Sequence, residues 1–279
     1  MNSISSCDLH IHSCYSDGTM SPAGIVSAAA DASLSAISIV DHDTAAGQAE
    51  AVEAGGVLGV EIVPGIEFSV MEEKLDIHIL GYCFDIADVR LSTVLEGLER
   101  GRTERAESIA DKLQGLGVPV TFEEIMADAG AGTVGRPHVA RILLRKGIVT
   151  EFQEAFDRFL GYGASCFVPK LVLSLEDIVS VIKGSGGVAV WAHPGANIRK
   201  RGLCDRILGS GVEGIEAWHP NHTEEITRLT VHEADRRGFV CTGGSDYHFE
   251  EARKVGIGEI PVPYDSIKAL RRLASGLSA

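Results

Sequence analysis

Nine histidine and acidic side chains stand at or near the ends of short apolar runs in this 279-residue chain. His10 and His12 are two residues apart in DLHIHS, and Asp246 and His248 have the same spacing in GGSDYH. Residues two apart on a β-strand share one face, so the members of each pair can point to the same place. The other five candidates lie singly in separate motifs: Asp17 in SDG, His42 in SIVDHD, Glu67 in PGIEFS, His78 in DIHILG and His193 in VWAHPG.

Imidazole and carboxylate groups without a thiolate suggest a transition-ion site, and we expect Mn²⁺ first, with Fe²⁺ or Zn²⁺ as alternatives. Nine ligands are too many for one ion and fit two or three, with one carboxylate bridging. The bound ions would leave the site net positive, which suits a phosphate dianion, and would activate water near neutral pH. A single such residue is more often a core or capping group, so the prediction depends on the joint pattern.

Short β-branched or apolar runs alternate with helical stretches along much of the chain. This alternation predicts an α/β fold with a parallel sheet covered on both faces, whose carboxyl strand ends meet at one mouth. The predicted strands cover residues 6–12, 36–42, 62–68, 77–83, 188–193, 214–218 and 239–246. Four residues are predicted to cap helices at their amino ends: Ser21, Thr44, Ser174 and Thr223.

The pattern changes between residues 88 and 170, which read mainly as helices. We expect residues 1–87 and 171–279 to form the catalytic barrel and residues 88–170 to form a helical insertion that caps its mouth.

Composition limits the choice of partners. The formal charge of −14 disfavours a surface for long nucleic acid. No apolar run approaches the ~20 residues that cross a bilayer, and the first residues lack the basic start of a secretory signal. The six cysteines have no C-x-x-C spacing, which indicates reduced thiols in the cytoplasm. The expected partner is a small phosphorylated substrate.

Together these motifs resemble the polymerase and histidinol phosphatase family of metal-dependent phosphoesterases, among the amidohydrolase-type barrels. The segments DLHIHSCYSDG, SIVDHDT, PGIEFS, DIHILGY, VWAHPG and GGSDYH carry the resemblance, in order, from residue 8 to 248. The segments VGRPHVARILLRKG and GYGASCFVPK are similar to the subgroup that acts on nucleotide-like phosphates. The resemblance implies a distorted (β/α)7 barrel, a helical insertion and up to three metals.

The resemblance also implies how the ligands divide among the metals. One metal would be held by His10, His12, Glu67 and Asp246. Glu67 would bridge to a second metal held by His78 and His193. Asp17, His42 and His248 would hold a third.

Substrate contacts are predicted from cationic and histidine residues near the motifs. Arg136 and His138, in the GRPH turn that opens a helix, could meet a phosphate, as could Lys170 after FVP. Arg199 and Arg201 follow His193, and they could replace an arginine that many relatives carry where this chain has Ala196. His222 is predicted to protonate the leaving oxygen, whereas His219 and His232 are interpreted as surface residues.

The preferred function is hydrolysis of a small monoester, such as a nucleotide or nucleoside bisphosphate. A metal-bridging hydroxide would attack phosphorus in line, while Arg136 and Lys170 stabilise the phosphoryl oxygens. Three alternatives stay open: a phosphodiesterase acting on small cyclic phosphates, a 5′-3′ exonuclease acting on short oligonucleotides, and a non-catalytic metal-binding accessory domain.

Overall fold

The computed structural model describes residues 6–72, 75–171, 173–248 and 255–276, and it has an α/β architecture. The described strands are β1 (Ser6–Ile11), β2 (Ala36–Ile39), β3 (Glu61–Ile62), β4 (Gly65–Glu72), β5 (Leu75–Tyr82), β6 (Val188–Trp191), β7 (Gly214–Trp218), β8 (Val240–Gly243) and β9 (Val262–Pro263). The described helices are α1 (Pro22–Asp31), α2 (Gln48–Leu58), α3 (Val89–Gly115), α4 (Phe122–Ala129), α5 (Arg136–Arg145), α6 (Phe152–Ala155), α7 (Leu175–Gly184), α8 (Arg201–Leu208), α9 (Glu224–Arg237) and α10 (Asp265–Ala274). A π-helical turn, Phe156–Leu160, continues α6, and a 3₁₀ turn, Gly195–Arg199, precedes α8.

The strands form two sheets, in the orders β3-β2-β1-β9 and β4-β5-β6-β7-β8. Single β-bridges join the sheets at two places, between Ile11 and Tyr247 and between His42 and Glu67. The prediction of a parallel sheet is wrong for β5, which runs antiparallel to both β4 and β6. Only two residues separate β4 from β5, and a parallel crossover needs about a dozen or more.

Three of the four predicted helix caps are confirmed. The hydroxyls of Ser21, Ser174 and Thr223 accept backbone hydrogen bonds from the first turns of α1, α7 and α9. The prediction for Thr44 is wrong, because its hydroxyl accepts from Ala46 N in a turn and α2 begins later, after Gly47.

Residues 88–170, all of which the structure describes, contain helices and no strand. Helix α3 is long enough to reach two separate hydrophobic cores. Leu91 and Leu98 pack in the core beneath β4 and β5, whereas Ile109 and Leu113 pack with α4 and α5. The helical segment therefore has a core of its own and is fixed to the sheets through α3.

Candidate metal centre

The nine predicted ligand residues come together around Glu67, whose side chain is 1% exposed. Glu67 Oε1 lies 2.7 Å from His78 Nδ1 and 3.0 Å from His193 Nε2. Its other oxygen, Oε2, lies 3.2 Å from both His12 Nε2 and His42 Nδ1. His10 Nε2 is 3.4 Å from the same Oε2. One carboxylate thus lies close to five imidazoles from four different segments, the position expected of a bridging ligand.

Asp246 joins the same centre from the end of β8. Its Oδ1 lies 3.3 Å from the Nε2 atoms of both His10 and His12. Asp246 has a φ of 50°, in the left-handed region that few non-glycine residues adopt, and its N–H donates to His10 O at 2.8 Å. Such strain is typical of functional sites, and here it accompanies a turn that brings the carboxylate to the end of β1.

A third carboxylate, Asp17, lies close to another group of histidines. Its Oδ1 is 3.3 Å from His248 Nε2 and 3.7 Å from His12 Nδ1, and its Oδ2 is 3.8 Å from His42 Nε2. Ligand atoms of these four residues all lie within 4.8 Å of one another. The prediction that the SDG turn folds back towards the strand ends agrees with this placement.

His78 reaches the centre by a route that the sequence interpretation did not foresee. It lies in the middle of β5 rather than at a strand end. Because β5 is antiparallel to its neighbours, its first half, not its carboxyl end, lies at the mouth. Ser69 is its partner on β4, two residues after Glu67, and His78 O accepts from Ala192 N beside His193.

The donor set fits bound cations. The Nδ1 atoms of His12, His42 and His78 are buried and have no hydrogen-bond partner among the described residues, although each faces a carboxylate oxygen. Unsatisfied buried polar groups are costly and rare. Two ligands each about 2.1 Å from one ion stand roughly 3.0–3.4 Å apart, and several of these nitrogen–oxygen spacings are close to that range. Metal ions would satisfy these atoms.

Charge complementarity inside the centre is strong. Burial alone would raise the pKa of Glu67, but His78 and His42 hold that pKa well below its ordinary value. Burial likewise opposes ionisation of Asp17, yet His248 and His42 hold its pKa well below the usual range. Burial lowers the pKa of His42 to about 3, whereas the contacts of His12 with Asp246 and Glu67 outweigh its burial and raise its pKa to about 10. A metal-bound imidazole is neutral, so an ion held by His12 would displace its proton.

Two further residues, which the sequence analysis did not assign, orient the centre. Glu216 on β7 is fully buried and accepts from His10 Nδ1 at 2.9 Å and from His193 N at 2.7 Å. The interpretation of His219 as a surface residue is wrong, because it is 5% exposed and its Nε2 lies 3.2 Å from Asp246 Oδ2. Its Nδ1 accepts from Asn221 N, so Nε2 carries the proton towards Asp246. His232 is exposed, as predicted.

Replacing Glu216 with glutamine is expected to weaken metal binding about 10–100-fold. An amide has only one acceptor oxygen, so it cannot accept from both His10 Nδ1 and His193 N. Titration of the metal-free protein with Mn²⁺ measures the change. Glu213→Gln is the matched control, since Glu213 immediately precedes the same strand and pairs with Lys183 at the surface. Equal affinity of the two variants for Mn²⁺ would show that Glu216 does not orient the ligands.

A cavity of about 120 Å³ adjoins the metal centre and is lined by four cationic side chains. Two of them, Lys170 and Arg136, were predicted. Lys170 Nζ lies 2.7 Å from one oxygen of Asp76, and Arg136 Nη2 lies 3.4 Å from the other. The other two, Arg102 and Arg105, lie on one face of α3 and were not predicted. Burial, with the nearby charges of Arg136 and Arg102, lowers the pKa of Arg105 to about 9. Positively charged side chains this close together favour the binding of an anion.

The remaining predicted substrate residues have different positions. His138 lines the cavity but is buried, and its Nδ1 accepts from Gly135 N at 3.0 Å. Among the described residues, neither Arg199 nor Arg201 lines the cavity. Arg199 pairs with Glu225 at 2.6 Å, and the Arg201 side chain is 95% exposed.

The prediction that His222 donates a proton to the leaving oxygen is not supported by its contacts. His222 Nδ1 donates to Ala217 O at 2.9 Å, and its Nε2 accepts from Gly195 N at 3.1 Å. Burial lowers the pKa of His222. Both ring nitrogens are thus engaged by backbone groups and hold the turn after His193 in place. Proton donation by His222 stays a prediction.

Comparisons with known proteins agree with this geometry. The PHP domain family profile matches residues 8–162. The chain is 33% identical, over 91% of each sequence, to a 3′,5′-nucleoside bisphosphate phosphatase of Chromobacterium violaceum. It is 35% identical to the 5′-3′ exoribonuclease Rnm of Escherichia coli, over 86% of this chain and 84% of that one.

The fold is also similar to a solved structure from Bifidobacterium adolescentis, described as a candidate metal-dependent phosphoesterase. The TM-score is 0.87 with 28% identity, covering 98% of this chain and 97% of the other. In the described part of the chain, none of the helices is both long and apolar enough to cross a bilayer.

Proposed function

Because the chain belongs to the PHP domain family of metal-dependent phosphoesterases, we propose that it releases phosphate from a small monoester, a nucleotide or nucleoside bisphosphate. One observation carries the proposal: the cluster of histidines and carboxylates around Glu67 opens directly onto a small cavity with four cationic side chains. A cavity of about 120 Å³ suits a phosphoryl group rather than a polymer.

In this proposal two or three divalent ions, preferably Mn²⁺, occupy the centre. His10, His12 and Asp246 would hold one of them, His78 and His193 would hold a second, and Glu67 would be a ligand of both. A third set of ligands is formed by Asp17, His42 and His248. The close approach of His12 to Asp17 makes His12 a further candidate for this third set.

The proposed mechanism assigns separate tasks to the residues. When bound, the metals supply Lewis-acid activation of water and neutralise phosphate charge. Arg136 and Lys170 hold the phosphoryl oxygens, and their shared partner Asp76 keeps both side chains in place before substrate arrives. Arg102, held by Asp43 at 2.8 Å, and Arg105 add positive charge from α3. Glu216 and His219 keep the ligands oriented.

The proposed architecture is a distorted (β/α)7 barrel formed by residues 1–87 and 171–279. The two β-bridges between the sheets support closure of the ring. They link β1 to the segment after β8, and the segment after β2 to β4. Residues 88–170 act as a cap in this proposal. Their support is the separate helical core and the contribution of Arg102, Arg105 and Arg136 to the cavity.

An exonuclease that trims short oligonucleotides is a second candidate, favoured by the identity to the exoribonuclease of E. coli. The net charge of −14 and the small cavity argue against long nucleic acid. The complete ligand set argues against a non-catalytic accessory domain.

All six cysteines are free, which supports a reducing compartment such as the cytoplasm.

A hydrolysis screen of Mn²⁺-loaded protein, which measures both released phosphate and the organic products, tests the proposal. The panel contains nucleoside monophosphates, nucleoside 3′,5′-bisphosphates, small cyclic phosphates and a short 5′-phosphorylated RNA. Bisphosphates or monophosphates are expected to give the highest kcat/KM. Hydrolysis of the cyclic esters alone, or release of mononucleotides from RNA alone, would replace the monoester proposal with the corresponding alternative.

A further inference from the structure

A second cleft, of about 180 Å³, opens beside the cationic cavity. Four of its lining residues are apolar: Met71, Tyr162, Phe167 and Pro169. Tyr162 is 76% exposed, and its ring meets that of Phe167 edge to face, with centroids 5.3 Å apart. Exposed apolar residues gathered around a cleft with a charged border are typical of a binding site.

The apolar cleft is continuous with the cationic cavity. Asp76, Arg105, Arg136 and Lys170 line both spaces. A phosphate ester whose phosphoryl group lies against these cations would therefore direct its organic part into the apolar cleft. At about 120 and 180 Å³, each space alone is smaller than the roughly 300 Å³ of a typical small-molecule site. A single ligand that occupies both spaces therefore fits them better than a separate ligand in each.

Helix α3 holds the segment that carries the two rings. Lys112 Nζ donates to Phe167 O at 2.6 Å, and Arg105 Nε donates to Val168 O at 2.8 Å. Within the segment, Cys166 N donates to Phe159 O at 2.8 Å. The cleft is thus largely ordered before a ligand binds, which lowers the entropic cost of binding.

We propose that this cleft binds the aromatic base of a nucleotide substrate, with Tyr162 providing the ring on which the base stacks. The inference rests on the proposed function, because it needs a phosphate in the neighbouring cavity. Stacking on an aromatic side chain tolerates any base, so Tyr162 selects nucleotides over other sugar phosphates without choosing among bases. The phosphate at the metal centre and the base are then bound by different parts of the chain.

Calorimetric titration of the metal-free protein tests the inference without relying on activity. The two probes are adenosine 3′,5′-bisphosphate and the same sugar bisphosphate with hydrogen in place of the base. The wild type is expected to bind the adenosine compound about tenfold more tightly. Tyr162→Ala should reduce this preference to within twofold, whereas Tyr162→Phe, which keeps the ring, should retain it.

Equal binding of the two probes by the wild type would overturn the inference, as would failure to bind either, or a preference that survives Tyr162→Ala. Phosphate release separates this outcome from the proposed function. Hydrolysis without any base preference would leave the phosphatase proposal standing and remove the base cleft. An intact base preference without hydrolysis of any monoester would do the reverse.

Discussion

Replacing Glu67 with glutamine is expected to lower kcat/KM by about 10³-fold, corresponding to roughly 4 kcal/mol of transition-state stabilisation. Glu67 is the carboxylate whose two oxygens face the histidines of different proposed metal sites. A neutral amide would both remove the bridging charge and turn N–H groups towards ring nitrogens. Initial rates with the best substrate of the screen, at saturating Mn²⁺, measure the loss.

Glu72→Gln is the matched control for this variant. Glu72 is on the same strand, at its opposite end, and its Oε2 pairs with Arg206 at 3.2 Å, away from the centre. It should keep kcat/KM within about twofold of the wild type. A Glu67→Gln enzyme with near-normal rates, and a circular dichroism spectrum like that of the wild type, would contradict the bridging role.

Replacing Arg136 with alanine is expected to lower kcat/KM by about 10²-fold, the usual effect of losing one preorganised donor to a charged transition state. Arg136 begins α5, borders both clefts and is oriented by Asp76 and by the ring of Phe156, 5.7 Å from its guanidinium carbon. Steady-state kinetics should show the loss mainly in kcat if Arg136 meets the reacting phosphoryl group.

Arg145→Ala, at the other end of the same helix, controls for a general loss of positive charge. Arg145 is exposed and pairs with Asp128 at 2.9 Å, outside both clefts. Arg136→Lys should recover only part of the activity, because a lysine cannot form the paired donor geometry of a guanidinium. An Arg136→Ala enzyme within twofold of the wild type would show that the reacting phosphate is bound elsewhere.

The convergence of the nine candidate ligands could be predicted from the sequence because it depends on short-range rules. His10 and His12 share a face through strand periodicity, and their position follows directly from the DLHIHS run. Glu216 could have been found by the same reasoning, since a glutamate inside the buried run GIEAW needs a partner. The direction of β5 was missed, although the short connection from β4 leaves no room for a parallel crossover.

Only two of the four cationic side chains of the cavity were predicted from the sequence. Arg102 and Arg105 look like ordinary charges of a solvated helix, and only the packing of α3 against the sheets turns them towards the site. Arg199 and Arg201 are the opposite case: they are near His193 in sequence, yet their side chains lie at the surface, at the end of the 3₁₀ turn and just after it. Side chains that depend on how separate segments pack cannot be located from spacing alone.

His219 and His222 show the same limit over a shorter distance. The WHPNH motif follows β7, and the turn directs His219 to a carboxylate and His222 to backbone groups. Nothing in the residue types distinguishes a ligand-orienting histidine from a turn-holding one, because both roles use the same ring.

Elemental analysis of purified protein, combined with phosphate release before and after chelation, tests the central claim most directly. After equilibration with Mn²⁺ and removal of free ions, we expect two or three divalent ions per chain. A chelator should abolish phosphate release, and added Mn²⁺ should restore it. A chain that retains less than one ion, or that hydrolyses its substrate equally well after chelation, would contradict the account.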